Sequence, residues 1–326
     1  MRRDSIGNES KEQLMIEVAK LYYQSDYSQQ EIGTKFGISR PTVSRLLKRA
    51  KDKGYVQIKI VDPFFDLAHL EAGLKEKYAL KEVHVIFSPE SDYKTITAYL
   101  SHFAAKYLEE VIVEGTILGV SWGTTMYEIA RKLTPKKVSG VEVVQLKGGI
   151  SHSDVQTYAN ETISLFAMAF QTTPLHLVLP VIFDHVTTKK LVEQDRHMRY
   201  IIEKGKQATV ALFTVGTVRE NALLFRLGYF DENEKMRLKK QAVGDICSRF
   251  FDAKGEISDQ EINNRTMGID LQELRQKEKS ILVAGGHRKL AAIDGALKGQ
   301  FANILMIDQF TAKELLEWNE PKEATN

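Results

Sequence analysis

The chain has 326 residues, 43% apolar and 27% charged, with 21 Gly, 7 Pro and one Cys, a composition that excludes a collagen-like, disulfide-framed or wholly disordered protein. Its length asks for roughly two or three folded units of about 100–200 residues each. The net charge of +2 hides an asymmetry: residues 1–60 hold 12 Lys and Arg against 7 Asp and Glu, a net +5 that leaves −3 for the remainder. A basic head on a mildly acidic body points to a polyanion as the head's partner. The lone Cys247 fits a reducing, cytoplasmic compartment. No apolar stretch marks a signal peptide, and the most apolar run, Leu175 to Phe183, is broken by His176 and Pro180, short of the ~20 residues a membrane helix needs.

From Lys11 to Tyr23 the apolar residues Leu14, Met15, Val18, Ala19 and Tyr22 recur at helical spacing. Ser28 followed by Glu31 makes a capping box, so a second helix starts there and runs to about Phe36, with Gly37 free to take a left-handed turn. Ser39 is the N-cap of a third helix with Pro41 in its first turn, continuing through Val43, Leu46 and Leu47 to Lys53 and stopping at Gly54. Gln29 to Arg49 thus resembles the helix-turn-helix of bacterial regulators, with apolar Ile32, Phe36, Ile38, Val43 and Leu46. Gly33 stands where alanine is more usual, a change that weakens the helix by about 0.5–1 kcal/mol. The third helix offers Ser39, Arg40, Thr42, Ser44 and Arg45 to base edges and Lys48, Arg49 and Lys51 to phosphates. The bland alternative is a basic solvated face in an all-helical domain.

Tyr55 to Ile60 alternates apolar and polar residues and reads as a short strand or wing, after which Asp62-Pro63 breaks the chain. Leu67, Leu70, Leu74 and Tyr78 form a helical stripe that either packs on the body or pairs two chains. The expected organisation is a DNA-binding domain over residues 1–61, a linker helix over 62–80 and an effector domain over 81–326.

Beyond residue 80, Val83–Phe87, Thr116–Ser121, Val141–Leu146, Thr209–Val215, Ile281–Ala284 and Ile304–Ile307 are strand candidates with helical patterns between most of them. That alternation predicts an α/β domain with a doubly wound, largely parallel sheet and a ligand site at the carboxyl ends of its strands. Asp252-Ala253-Lys254-Gly255 reads as a hairpin turn and predicts some antiparallel pairing. Leu118 to Thr125 is a strand, a glycine-containing turn and a helix start, which aims N–H groups and hydroxyls at an anion such as phosphate; the alternative is that Ser121, Thr124 and Thr125 only cap a helix. Gly285-Gly286-His287-Arg288-Lys289 supplies a second such turn with two cations. Lys147, at a strand end beside Gly148-Gly149, should line the same crevice. Neither turn is a P-loop or a Rossmann fingerprint, and none of the 8 His has metal-ligand spacing, so no cofactor or metal is expected. Cys247 reads as a packed small apolar residue.

At these residues a resemblance becomes specific. The segments LYYQSDYSQQEIGTKFGISRPTVSRLLKRAKDKGYV, GVSWGTTMYEIA, VVQLKGG, AVGDICSRFFDAKG and ILVAGGHRKLAAIDGAL make residues 11–318 similar to the sugar-binding regulator family usually called SorC. The resemblance implies an N-terminal helix-turn-helix before an effector domain similar in fold to sugar-phosphate isomerases and deaminases. It further implies a repressor of deoxyribonucleoside and deoxyribose catabolic genes, acting as a homo-oligomer on operator DNA and released by a phosphorylated sugar. Ser121, Gly123, Thr124, Thr125, Gly286 and Lys289 would lie near the phosphate, Gly148 beside the sugar, and Asp245 near its hydroxyls. Lys147 departs from the family pattern, which commonly has Asn or Arg there. A second reading of the same body is a sugar-phosphate-processing enzyme with a DNA-binding head, but no acid/base pair stands out to serve one.

The departure at Lys147 has a chemical reading. Desolvation and neighbouring cations would leave part of the lysine as an uncharged amine. Deoxyribose 5-phosphate opens to an aldehyde that such an amine attacks, giving a Schiff base at C1. The alternative is a protonated Lys147 hydrogen-bonded to a sugar oxygen or to the phosphate.

Overall fold

The computed structural model describes residues 3–56, 58, 66–151 and 153–318, with side-chain surroundings from residue 11 onward. The chain divides into two compact units, Met1–Phe64 and Phe65–Asn326. In the first unit, α1 (Arg3–Gln24), α2 (Gln29–Phe36) and α3 (Arg40–Asp52) close on a small core of Met15, Val18, Ala19, Ile32, Val43, Leu47 and Ala50. The local signals act as their chemistry predicts. Glu31 N–H donates to Ser28 Oγ at 3.2 Å and Ser28 N–H to Glu31 Oε2 at 2.8 Å, while Gly37 takes φ 65° at the end of α2. Ser39 accepts from the Thr42 N–H to cap α3, and Gly54 follows the helix with φ 75°. Of the expected wing, Tyr55, Val56 and Ile58 are described and lie in no strand, while Gln57, Lys59 and Ile60 lie outside the described residues.

The second unit opens with α4 (Leu67–Tyr78), whose stripe is buried: Leu70, Leu74 and Tyr78 join the core shared with β1 (Glu82–Ile86) and the C-terminal helix Gln309–Glu317. Lys77 Nζ donates to the carbonyls of Leu315, Leu316 and Trp318, capping that C-terminal helix. The main sheet adds β2 (Ile117–Val120), β3 (Glu142–Gln145), β4 (Pro174–Leu175) and β5 (Val210–Phe213). A smaller sheet holds β6 (Val215–Gly216), β7 (Gly244–Ile246) and β8 (Arg249–Phe251), before the chain returns to the main one through β9 (Lys279–Val283) and β10 (Ile304–Asp308). The seven strands run parallel in the order β1-β10-β9-β5-β2-β3-β4, and β6-β7-β8 is antiparallel. Successive residues of a strand face opposite sides. In β5, Val210 and Leu212 join one core while Ala211 and Phe213 join the other; Ile304 and Met306 of β10 are divided from Leu305 and Ile307 in the same way. Helices therefore cover both faces, among them α5 (Tyr93–Val111) and α6 (Thr124–Ala130). Among the described residues no helix is long and apolar enough to cross a membrane.

The expected antiparallel pairing is present, with one turn added. Asp252–Gly255 is a turn closed by Gly255 N–H on the Asp252 carbonyl at 3.0 Å, and it brings Ile257 back to pair Phe251. The tighter hairpin is β7–β8, turned by Cys247 and Ser248 at φ 50° and 69°. Neither residue type favours the left-handed region, so this turn carries no local signature.

Gly33 also acquires a reason. Ile38 N–H donates to its carbonyl at 2.9 Å, and a Cβ on Gly33 would stand 2.8 Å from the Ile38 carbonyl oxygen. Gly33→Ala should therefore loosen the head, because a backbone clash costs about 1–3 kcal/mol against a propensity gain of about 0.5–1 kcal/mol. Hydrogen exchange at the α2 and α3 amides of the full chain is expected to speed up; slower exchange would contradict the clash.

Candidate effector site and DNA-reading face

In chain order the strands step outward from β2 through β3 to β4 on one side and from β5 through β9 to β10 on the other. The sheet thus has a switch point between β2 and β5, where connecting loops part and leave a crevice at the carboxyl ends of the strands. A cavity of about 340 Å³ lies there. Ser121, Gly123, Thr124 and Thr125 after β2, Lys147 after β3, Lys289 after β9 and Asp245 from β7 all line it. At the start of α6 the cap position is Gly123 with φ 131°, and no side chain bonds the first N–H groups. The hydroxyls around it are therefore not spent on capping.

Two expected site residues stand elsewhere. Gly148 does not line the cavity: a Cβ on it would meet the Pro180 carbonyl oxygen at 2.4 Å, so its smallness serves chain packing. Gly286 is likewise absent from the lining, and its N–H is spent on Asp308 Oδ2 at 3.1 Å and Thr311 Oγ1 at 2.6 Å. The lining also includes residues that no motif announced: Tyr93 from α5, Trp122, and Thr214, Thr217, Arg219 and Arg226 from the segment after β5.

Lys147 lines the cavity and is 6% exposed. Its Nζ donates to Ser248 Oγ at 3.3 Å and stands 3.8 Å from the Trp122 ring centroid. Burial holds its pKa below the usual lysine value, opposed by the charge of Asp245. Desolvation acts as the sequence predicts, but the second expected cause differs: a carboxylate, not a set of cations, faces the amine. Burial in turn pushes Asp245 above the usual carboxylate range, against Lys147, the Ser248 N–H at 3.0 Å and Lys289. Asp245 also explains Gly216, since a Cβ there would lie 1.9 Å from Asp245 Oδ1. Burial pushes the Cys247 thiol up to about 12, which disfavours its thiolate. Also lining the cavity, Lys289 Nζ donates to Thr214 Oγ1 at 3.2 Å. Burial pushes the Tyr93 phenol up, but Lys289, a hydrogen bond with Thr125 and Arg288 outweigh it and bring its pKa to about 8. Among the described residues no group of His, Cys, Asp and Glu could hold a metal ion.

On the head, Ser39, Arg40, Ser44, Arg45, Lys48, Arg49 and Lys51 are exposed along α3, and Thr42 is half-buried. Arg45 Nη2 donates to Thr42 Oγ1 at 3.2 Å, and that hydroxyl meets Ser39 Oγ at 2.9 Å, so the start of α3 is internally braced.

Comparison with known proteins bears on both regions. The Sugar-bind family, a sugar-binding domain, matches residues 62–317, and the MarR family matches residues 21–62. The chain is 65% identical over 306 residues to the deoxyribonucleoside regulator of Bacillus subtilis (strain 168), covering 94% of this chain and 98% of that one. It is 31% identical to the sorbitol operon regulator of Klebsiella pneumoniae, over 93% and 98% of the two chains. The crystal structure of full-length sorbitol operon regulator SorC from that organism superposes with a TM-score of 0.71 at 28% identity, covering 94% of this chain and 99% of that one. A transcriptional regulator from Streptococcus pneumoniae TIGR4 superposes with a TM-score of 0.73 at 26% identity, over 77% and 97%.

Tyr93 gives this electrostatic picture a direct readout. The ultraviolet difference spectrum between the chain and Tyr93→Phe should show a phenolate forming near pH 8. Arg288→Gln or Lys289→Gln should move that midpoint upward, since each removes a cation that favours the phenolate. A midpoint near the ordinary tyrosine value of about 10 in the unaltered chain would contradict it.

Proposed function

The chain belongs to the SorC-type family of sugar-binding transcriptional regulators, and from that premise we propose that it represses deoxyribonucleoside catabolic genes and leaves its operator when deoxyribose 5-phosphate fills the cavity around Lys147. It is a regulator and not an enzyme, with a helix-turn-helix head for operator DNA and a body for a sugar effector. The target genes follow the printed name of the Bacillus subtilis relative. The choice of effector rests on one observation: a buried lysine amine shares a cavity with the Ser121–Thr125 turn and Lys289.

The two kinds of group lining the cavity suit the two ends of that molecule. A phosphate dianion is favoured by the N–H groups and hydroxyls of the turn and by Lys289. At the other end, the lone pair of uncharged Lys147 Nζ attacks C1 of the open-chain aldehyde. The C1–N bond forms, and the carbonyl oxygen leaves as water with the two amine protons, giving a Schiff base. Asp245, which faces Lys147 and whose pKa burial raises, would relay one of those protons from the nitrogen to the departing oxygen. Release from DNA requires only that the liganded body prefer a conformation with poor operator affinity. Reading paired half-sites calls for a homo-oligomer.

Borohydride reduction of the chain with deoxyribose 5-phosphate, followed by peptide mass spectrometry, should find the reduced adduct on Lys147 and none in Lys147→Ala. Tight binding with no trapped mass would instead assign Lys147 a hydrogen bond from its protonated form. On the head, Arg40→Ala and Arg45→Ala should each weaken specific operator binding by about 1–3 kcal/mol, while Lys51→Ala weakens binding to every sequence alike. Unchanged operator affinity in the double arginine variant would remove α3 from the role of reading helix.

A further inference from the structure

Among the arginines stacked on aromatic rings, Arg288 differs in what its donors do. Its Cζ stands 3.6 Å from the Tyr93 ring centroid, at the lip of the cavity, and it is exposed. Arg275, 5.1 Å from the Phe301 centroid, spends donors on the Gly299 carbonyl and Gln272 Oε1; Arg131, 5.7 Å from the Tyr127 centroid, spends one on Glu128. Among the described residues Arg288 has no carboxylate or carbonyl partner, so its N–H donors are unspent. The ring beneath it is itself fixed. Tyr93 hydrogen-bonds Thr125 of the hydroxyl-bearing turn and Lys289 of the cationic turn, and it packs on Gly286, where a Cβ would lie 3.1 Å from Tyr93 Cδ2. A guanidinium held over a phenol ring keeps its charge and loses little freedom on engaging a second partner.

We propose that Arg288 is a second phosphate-binding cation of the effector site, and that Tyr93 is the positioning residue that holds it over the cavity. The inference rests on the reading that the cavity takes a sugar phosphate. The phosphate would lie between the Ser121–Thr125 turn and Lys289, with Arg288 closing over it by the bidentate geometry that guanidinium and phosphate share. Tyr93 thereby joins both turns to the mouth of the site, and the ring rather than the hydroxyl does the positioning.

Calorimetry on the full chain with deoxyribose 5-phosphate, inorganic phosphate and unphosphorylated deoxyribose tests this. Arg288→Gln is expected to weaken both phosphate-bearing probes by about tenfold or more, the scale of one charge-assisted hydrogen bond, and to leave deoxyribose unchanged. Tyr93→Leu should do the same. Tyr93→Phe, which keeps the ring, should retain most of the affinity at pH 7. The double variant Tyr93→Leu/Arg288→Gln should lose no more than Arg288→Gln alone, because the two act as one unit. Additive losses, or wild-type phosphate affinity in Arg288→Gln, overturn the proposal. If the unaltered chain fails to prefer the phosphorylated sugar over the free one, the sugar-phosphate reading itself falls, and the variants are then silent on both probes.

Discussion

Lys147 carries an amine that has been taken out of water, and much of the site's architecture answers that cost. An uncompensated ammonium in a protein interior costs several kcal/mol, so it requires a facing carboxylate, an aromatic face or the loss of its proton. All three bear on this residue: Asp245 opposes it, the Trp122 ring lies 3.8 Å away, and burial lowers its pKa. Each partner then imposes its own conditions. Trp122 is oriented by its Nε1–H on the Gly148 carbonyl at 2.7 Å. Asp245 leaves no room for a side chain at Gly216, and the Lys147 backbone pairs Gly268, where a Cβ would lie 2.8 Å from Lys147 Cβ.

The same demand accounts for the least comfortable stretch of backbone in the body. Cys247 and Ser248 are consecutive non-glycine residues at positive φ, a conformation that costs about 1–3 kcal/mol per residue and persists only where surroundings over-determine it. Here the tight turn brings the Ser248 N–H to Asp245 Oδ2 and its hydroxyl to Lys147 Nζ. Burial of the Cys247 side chain, 2% exposed, anchors the turn from the other side.

Ligand site and head linker also share a rigid element. The helix Leu290–Lys298 begins immediately after Lys289, and its Asp294, 2% exposed, accepts the Tyr78 hydroxyl of α4 at 2.7 Å and pairs with Lys298 at 2.9 Å. α4 is the first helix of the body after the linker, clamped at its far end by Lys77 on the C-terminal helix. A body built this way holds the turn that bears Lys289 and α4 in one packed core.

Much of the fold was legible because its signals are short-ranged. The Ser28–Glu31 capping box, the Ser39 cap and the stripe of α4 each depend on residues within about one or two turns of one another. The turn at Ser121 to Thr125 and the cationic turn at Lys289 were readable for the same reason: a strand end, a glycine and a helix start lie together in sequence. What the chain brings together over long separations was not readable. Nothing local tells that Asp245 faces Lys147, that Tyr93 carries Arg288, or that Gly148 is small for the sake of Pro180 rather than of a ligand. The hairpin at Cys247 lacked a sequence signature because neither residue prefers positive φ. By itself the sequence determined the helices of the head, α4 and most strands of the parallel sheet, since those hydrogen bonds and apolar faces are local. Only the tertiary structure decided which side chains meet at the switch point, because burial and charge are properties of an environment that distant segments build together.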